Sequence, residues 1–257
     1  HIGSASVPTV AVGDRVLKGQ RIARAEGYVS VALHAPTSGT ISAISELPVP
    51  HPSGLPAPCM VLDADGEDRW YERQTTEDYA AIAPSHLRNL VRDAGIVGLG
   101  GAGFPSFIKL NPGGPQGIDQ LILNGIECEP YITCDDMLIR ERSNEVLDGL
   151  RIMRHALQAK RAVIAIEDNK TIAYAALVQA VKARNEDVEV VMLPTVYPQG
   201  SEKQLVEVLT GKEVPKNGLP IHIGVVVQNV ATATAIFRAL AHGEPLISRI
   251  VTVTGMG

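Results

Sequence analysis

From about Ser85 onward, segments whose apolar residues recur every three or four positions alternate with short apolar runs of strand length. Ser85 can cap a helix with His86, Leu87, Leu90, Val91 and Ala94 on its faces, ending at Gly95. Leu121-Ile122-Leu123 reads as a short strand, and Ser143-Asn144-Glu145 as the start of a helix carrying Val146, Leu150, Met153 and Leu157. Strands are expected at Arg161 to Ile166 and Val188 to Leu193, and helices at Thr171 to Arg184 and Gly200 to Thr210. Ile223 to Val227 reads as a strand running into a helix through Ala239. Such alternation predicts a layered α/β domain with a largely parallel sheet.

Residues 1–72 follow another grammar. Val7 to Val12, Val16-Leu17, Ile22-Ala23, Val29 to Leu33 and Thr40 to Ile44 are brief apolar or β-branched runs, punctuated by Gly13, Gly19, Gly27, Gly39 and prolines. No 3.6-residue period is visible there, so a small all-β unit is expected. Proline-rich Glu46 to Pro58 reads as a connecting loop, and charged Asp63 to Arg73 as the beginning of a linker. The second domain is expected to span 73–248.

The chain has 257 residues, 45% hydrophobic and 20% charged, with a formal net charge of -5. Acids and bases are interspersed, which excludes the clustered basic surface of a nucleic-acid binder. No apolar run approaches the roughly 18 residues needed to cross a bilayer as a helix. Cys59, Cys128 and Cys134 are odd in number and lack metal-ligand spacing. They argue against a disulfide framework and against a four-cysteine iron–sulfur cluster, and Cys128 and Cys134 read as small packing residues, with no metal site expected. The first residue is not Met, and Val251 to Gly257 reads as the opening of a strand. Both ends are expected to be cut from a longer protein.

Gly98-Leu99-Gly100-Gly101-Ala102-Gly103-Phe104-Pro105 puts four glycines within six residues, with Lys109 shortly after. Such a stretch brings backbone amides close to an anion, above all a phosphate, or simply makes a tight turn. It lacks the Gly-Lys-Ser/Thr ending of a P-loop and does not follow a strand as a dinucleotide fingerprint would. Asn124-Gly125-Ile126-Glu127-Cys128-Glu129-Pro130 follows the Leu121 strand, where open α/β sheets place ligands. Glu127 and Glu129, two apart, would share a side in extended structure. The alternative is a solvated acidic loop capping the next helix, with Asp135 or Asp136 in its first turn. Tyr197-Pro198-Gln199-Gly200-Ser201-Glu202 opens a helix, and Gln228-Asn229-Val230-Ala231-Thr232 ends a strand; each also reads as plain cap chemistry.

Taken together these segments resemble a known family. Val12-Gly13-Asp14-Arg15-Val16-Leu17-Lys18-Gly19-Gln20 and Ala35-Pro36-Thr37-Ser38-Gly39-Thr40-Ile41 look like a biotinyl/lipoyl-type barrel-sandwich hybrid. The hairpin that would carry a cofactor lysine has Glu26-Gly27-Tyr28-Val29, so a structural or docking module is implied. The glycine loop and the three later motifs are similar, in the same order, to those of the flavin subunit of respiratory complex I. With the leading β unit, the order resembles the RnfC subunit of Rnf electron-transport complexes. The resemblance implies a Rossmann-like flavin/NADH-binding α/β domain behind the small all-β unit, with residues 249–257 beginning a truncated SLBB domain. It implies FMN contacts at Gly98, Gly100, Gly101, Lys109, Asn124, Tyr197, Gly200, Asn229 and Thr232. It implies NADH contacts at Gly103, Phe104, Glu127, Glu129, Glu202 and, by a looser match, Lys216. Leu99, Ile126 and Ser201 depart from the complex I pattern of Arg, Asp and Glu, leaving a phosphate-facing charge and a polar flavin contact unaccounted for. The implied function is hydride exchange between NADH and non-covalent FMN, with 4Fe-4S clusters only in a C-terminal part outside this chain. Implied partners are the other Rnf subunits, including membrane and ferredoxin-like subunits, and NAD(H), with peripheral attachment at the cytoplasmic face of the inner or plasma membrane. A docking or scaffold fragment without flavin, or a cobalamin-reductase-type flavoprotein, would share much of this wording.

Overall fold

The computed structural model describes residues 1–50, 53–76, 78–111 and 117–255. The first unit holds β1 (Val7–Pro8), β2 (Arg15–Val16), β3 (Arg21–Arg24), β4 (Leu33–His34), β5 (Gly39–Pro48) and β6 (Pro56–Ala64). They form two three-stranded antiparallel sheets, ordered β1-β3-β4 and β2-β5-β6, closed over Val16, Ile22, Ala35 and Ile41. The expected loop from Glu46 to Pro58 is instead largely the outer half of the β5–β6 hairpin; its residues 51–52 lie outside the described ones. Proline misled there for a physical reason. β6 is an edge strand, and Pro56 and Pro58 are tolerated where no second neighbour needs their missing N–H. The Val29 to Leu33 run contributes only Leu33 to a strand.

The second unit begins with α1 (Pro84–Asp93), whose N-cap is Ala83 rather than Ser85, with Pro84 at the first helical position. There follow α2 (Ser106–Lys109), β7 (Gln120–Gly125), α3 (Cys134–Leu157), β8 (Arg161–Glu167), α4 (Thr171–Arg184) and β9 (Glu189–Leu193). The unit closes with α5 (Glu202–Thr210), β10 (Val225–Asn229) and α6 (Val230–His242). The four strands form one parallel sheet in the order β10-β7-β8-β9.

Period-two alternation assigns the two faces. Leu121, Leu123, Ile164, Ile166 and Val226 face the core shared with α1, α3, α4 and α6. Ile122, Ala165, Val225 and Val227 face Leu205 and Val206 of α5 on the other side. The helix expected to start at Ser143 starts at Cys134 and kinks at Arg142 (φ −138°, ψ 36°). The Ser143 hydroxyl donates to Ile139 O at 2.6 Å, a back-bond that bends helices. Residues 249–254 lie in no helix or strand, and 256–257 are outside the described residues.

Candidate functional site

Chain order sets the place of the site. From β7 the chain moves to β8 and β9 on one side, then returns to place β10 on the other. The switch point therefore lies between the carboxyl ends of β7 and β10, where an open α/β sheet leaves a crevice. Asn124 and Asn229, the ends of those strands, are register partners across it. A cleft of about 680 Å³ opens there, within the range of small-ligand sites.

The glycine loop forms one wall. Gly98 N–H donates to Phe104 O at 2.8 Å and Ser106 N–H to Ile96 O at 3.0 Å, pinching residues 98–104 into a closed turn. A Cβ on Gly100 would stand 3.2 Å from the Asn229 Cβ, so glycine allows the loop to lie against the end of β10. Gly101 and Gly103 take φ of +117° and +61°. The N–H groups of Gly100, Gly101, Ala102 and Gly103 make no well-aligned hydrogen bond within the described protein. The helix after the loop, α2, is a single turn. Any attraction for an anion therefore comes from the loop's own amides rather than from a helix dipole.

Lys109 lies between the sheet and α5, paired with the Glu202 carboxylate and donating to Val227 O at 3.0 Å. Asn124 donates to Gly200 O at 2.9 Å and accepts from Ile126 N–H at 3.0 Å, tying the Tyr197–Gly200 turn to the end of β7. Tyr197 is 70% exposed at the rim. Asn229 caps α6, accepting from Ala231 N–H at 2.8 Å and Thr232 N–H at 3.3 Å, while its amide donates to Asp135.

The acidic segment is arranged differently from an alternating strand. Glu127 is buried, and its carboxylate accepts from Asp135 N–H at 2.8 Å, Asp136 N–H at 2.9 Å and the Cys134 thiol at 3.3 Å. It thus caps α3 from seven residues upstream and satisfies donors that the helix leaves open. Glu129 is exposed at the rim, so the two glutamates line the cleft at different depths. Asp135 and Asp136, expected in the first helical turn, are there but buried. Burial, then the neighbouring Glu127 charge, pushes the Asp135 carboxyl up to about 7. Burial likewise holds the Cys134 thiol above its ordinary range.

One cleft thus brings together Gly98, Gly100, Gly101, Phe104, Lys109, Asn124, Glu127, Glu129, Tyr197, Gly200, Glu202 and Asn229. Three expected residues lie off its lining. Thr232 is fully buried behind the loop, where its hydroxyl accepts from Leu99 N–H at 2.9 Å. Gly103 is turned toward the first unit, its carbonyl accepting from Ile2 N–H at 3.3 Å. Lys216 is exposed beyond the start of α5, where its carbonyl takes a long 3.4 Å bond from Lys203. Ile126, the position lacking an acid, belongs to the apolar core on the α5 face. Sequence reasoning missed Arg249, which lines the cleft and donates to Leu99 O at 3.1 Å. It lies 150 positions from its partner, and no local pattern could have found it.

A family model described as the Nuo51 FMN-binding domain matches residues 91–238, and one described as the RnfC barrel sandwich hybrid domain matches residues 1–67. The RnfC-type subunit of the ion-translocating oxidoreductase complex of Vibrio cholerae is 49% identical over 255 residues, covering 99% of this chain and 33% of the relative. Its Pseudomonas aeruginosa counterpart is 50% identical with the same coverage. That of Rhodobacter capsulatus is 47% identical over 257 residues, covering 100% of this chain and 50% of the relative. The chain therefore spans about a third to a half of the length of these relatives. Among solved structures, a chain of an NAD+-reducing [NiFe]-hydrogenase in the H2-reduced state superposes with a TM-score of 0.56 at 25% identity. That match covers 63% of this chain and 31% of the other.

Proposed function

Since the chain belongs to the Nuo51 FMN-binding domain family, in the RnfC form found in ion-translocating oxidoreductase complexes, we propose that it is a flavin-bearing electron-input module. In this reading it takes hydride from NADH and passes electrons toward iron–sulfur carriers outside these residues. The observation that carries the reading is the pairing of Asn124 with Asn229 at the switch point, faced by a glycine loop whose amides are unspent.

The residues fit FMN. The Gly100–Gly103 amides suit its phosphate, and the side-chain amides of Asn124 and Asn229 suit its polar ring edge and ribityl hydroxyls. Lys109, fixed by Glu202 and Val227 O, supplies a positive charge at the same wall. Gln228 adds a buried Nε2 with no acceptor among the described residues, beside the cleft. FMN held there would supply the conversion from a two-electron hydride donor to one-electron acceptors. The protein positions both nucleotides and sets the field around them, with no side chain needed as acid or base. Glu127 and Glu129 accept from ribose hydroxyls and the carboxamide of a dinucleotide, and Phe104 offers an aromatic face to it.

The whole-complex role follows from the relatives' names. Partners are the other subunits, membrane-embedded and ferredoxin-like, with this chain at the cytoplasmic face of the membrane. No helix among the described residues is long and apolar enough to cross a membrane, which suits a peripheral position. Titrating the chain with FMN while following flavin fluorescence tests the reading, and adding NADH without oxygen should then bleach the visible absorbance. An FMN titration that leaves fluorescence and absorbance unchanged overturns it.

A further inference from the structure

The segment after α6 crosses the mouth of the cleft on three hydrogen bonds. Leu246 N–H donates to Ala94 O at 3.0 Å, Arg249 donates to Leu99 O at 3.1 Å, and Thr252 Oγ1 accepts from Thr133 N–H at 3.0 Å. Those anchors are the end of α1, the glycine loop and the residue before α3, three segments that frame the cleft.

Within this frame the charges are unbalanced. Glu127, Glu129, Asp135 and Glu202 line the cleft, against two cations, Lys109 and Arg249. Lys109 is already paired with Glu202. Arg249 makes no ion pair with a carboxylate among the described residues, and its one hydrogen bond goes to a backbone carbonyl. A guanidinium has five N–H donors in a planar fork, so four remain beside the unspent amides of Gly100–Gly103. The loop itself, residues 98–104, contains no charged side chain.

We propose that Arg249 is the cation that binds a nucleotide phosphate at the glycine loop, and so sets the preference for phosphorylated ligands. A phosphate there meets loop amides on one side and the guanidinium fork on the other, in a cleft otherwise dominated by carboxylates. This assignment rests on the flavin-nucleotide reading above. The phosphate belongs either to FMN or to the dinucleotide, and the shared chemistry is a phosphate ester held by Arg and backbone N–H groups.

Calorimetric titration of the parent chain, Arg249→Ala and Arg249→Lys with FMN, riboflavin and ADP-ribose separates the cases. Arg249→Ala is expected to weaken one of the two phosphate-bearing ligands by about tenfold and to leave riboflavin unchanged. Arg249→Lys should restore part of the loss, since it keeps the charge and loses the fork. A loss confined to FMN or to ADP-ribose identifies which phosphate is held. Equal binding of both ligands by parent and Arg249→Ala overturns the proposal, as does a riboflavin loss as large as that of FMN, which would mark Arg249 as a mere strap. If the parent binds neither FMN nor ADP-ribose, the flavin reading itself falls, and this assignment with it.

Discussion

At Asp135 the protein keeps a carboxyl where water would not have kept it neutral. Burial and Glu127 raise it to about 7 from an ordinary 3.8, against the opposing hydrogen bond from Asn229 and the field of Arg249; Glu129 adds a smaller repulsion. The folded chain therefore holds a proton that the unfolded chain has released between those two values. Stability contributed at this site falls as pH rises through that window, and the full cost remains above it. Asp135→Asn keeps an acceptor for Asn229 and removes the ionisation. The variant should melt higher than the parent at pH 8, by about 2–4 °C for each kcal/mol recovered, and the gain should shrink toward pH 5. Melting curves at both pH values check this, and an offset independent of pH would refute the assignment. Residue identities at the strand ends were readable in the sequence because motif order and strand position agreed. The states of those residues were not. Nothing local shows that Glu127 is consumed in capping a helix, or that Thr232 holds the loop from behind.

Among the elements, the four strands of the parallel sheet were legible because burial on both faces forces short, nearly continuous apolar runs. The first turns of α3 were not. Thr133 makes no side-chain cap, the capping group arrives from Glu127, and the back-bond at Ser143 puts a second apparent helix start inside one helix. Gly149, also within α3, was silent in sequence yet fixes how α3 meets α6. A Cβ there would stand 2.0 Å from Ala233 O and 2.9 Å from its Cα, contacts with backbone that no rotamer relieves. Gly149→Ala must push the two helices apart, at a cost of about 3 kcal/mol or more. Denaturant unfolding should show the lowered midpoint. Because α6 starts immediately after Asn229, the same displacement should weaken FMN binding. An unchanged midpoint would mean that the helix pair can slide without loss, which the observed contact forbids.

Over the whole molecule, the glycine loop is held from three directions by segments far apart in the chain. Thr232 takes Leu99 N–H from the α6 side, Arg249 takes Leu99 O from the tail, and Ile2 N–H reaches Gly103 O from the first unit. Beside that last contact, Tyr28 sits on the hairpin where a carrier domain would bear its lysine, and it meets Phe107 edge-on at 6.2 Å. The small β unit thus braces the ligand wall, a role invisible in a sequence where the two units read as separate grammars. Gly3 makes the brace possible. It has φ of +97°, and a Cβ there would fall 2.0 Å from Val29 O, whose bond to Ser4 N–H seats the N-terminal segment. Gly3→Ala should lift that segment away and free Gly103 while leaving the parallel sheet untouched. Hydrogen exchange resolved by peptide is then expected to quicken in residues 98–104 and to stay unchanged in β7, β8 and β10, with FMN affinity falling a few-fold. Exchange that quickens equally in the sheet would mean the first unit supports the domain as a whole, and unaltered loop exchange would mean the loop is stiff without it.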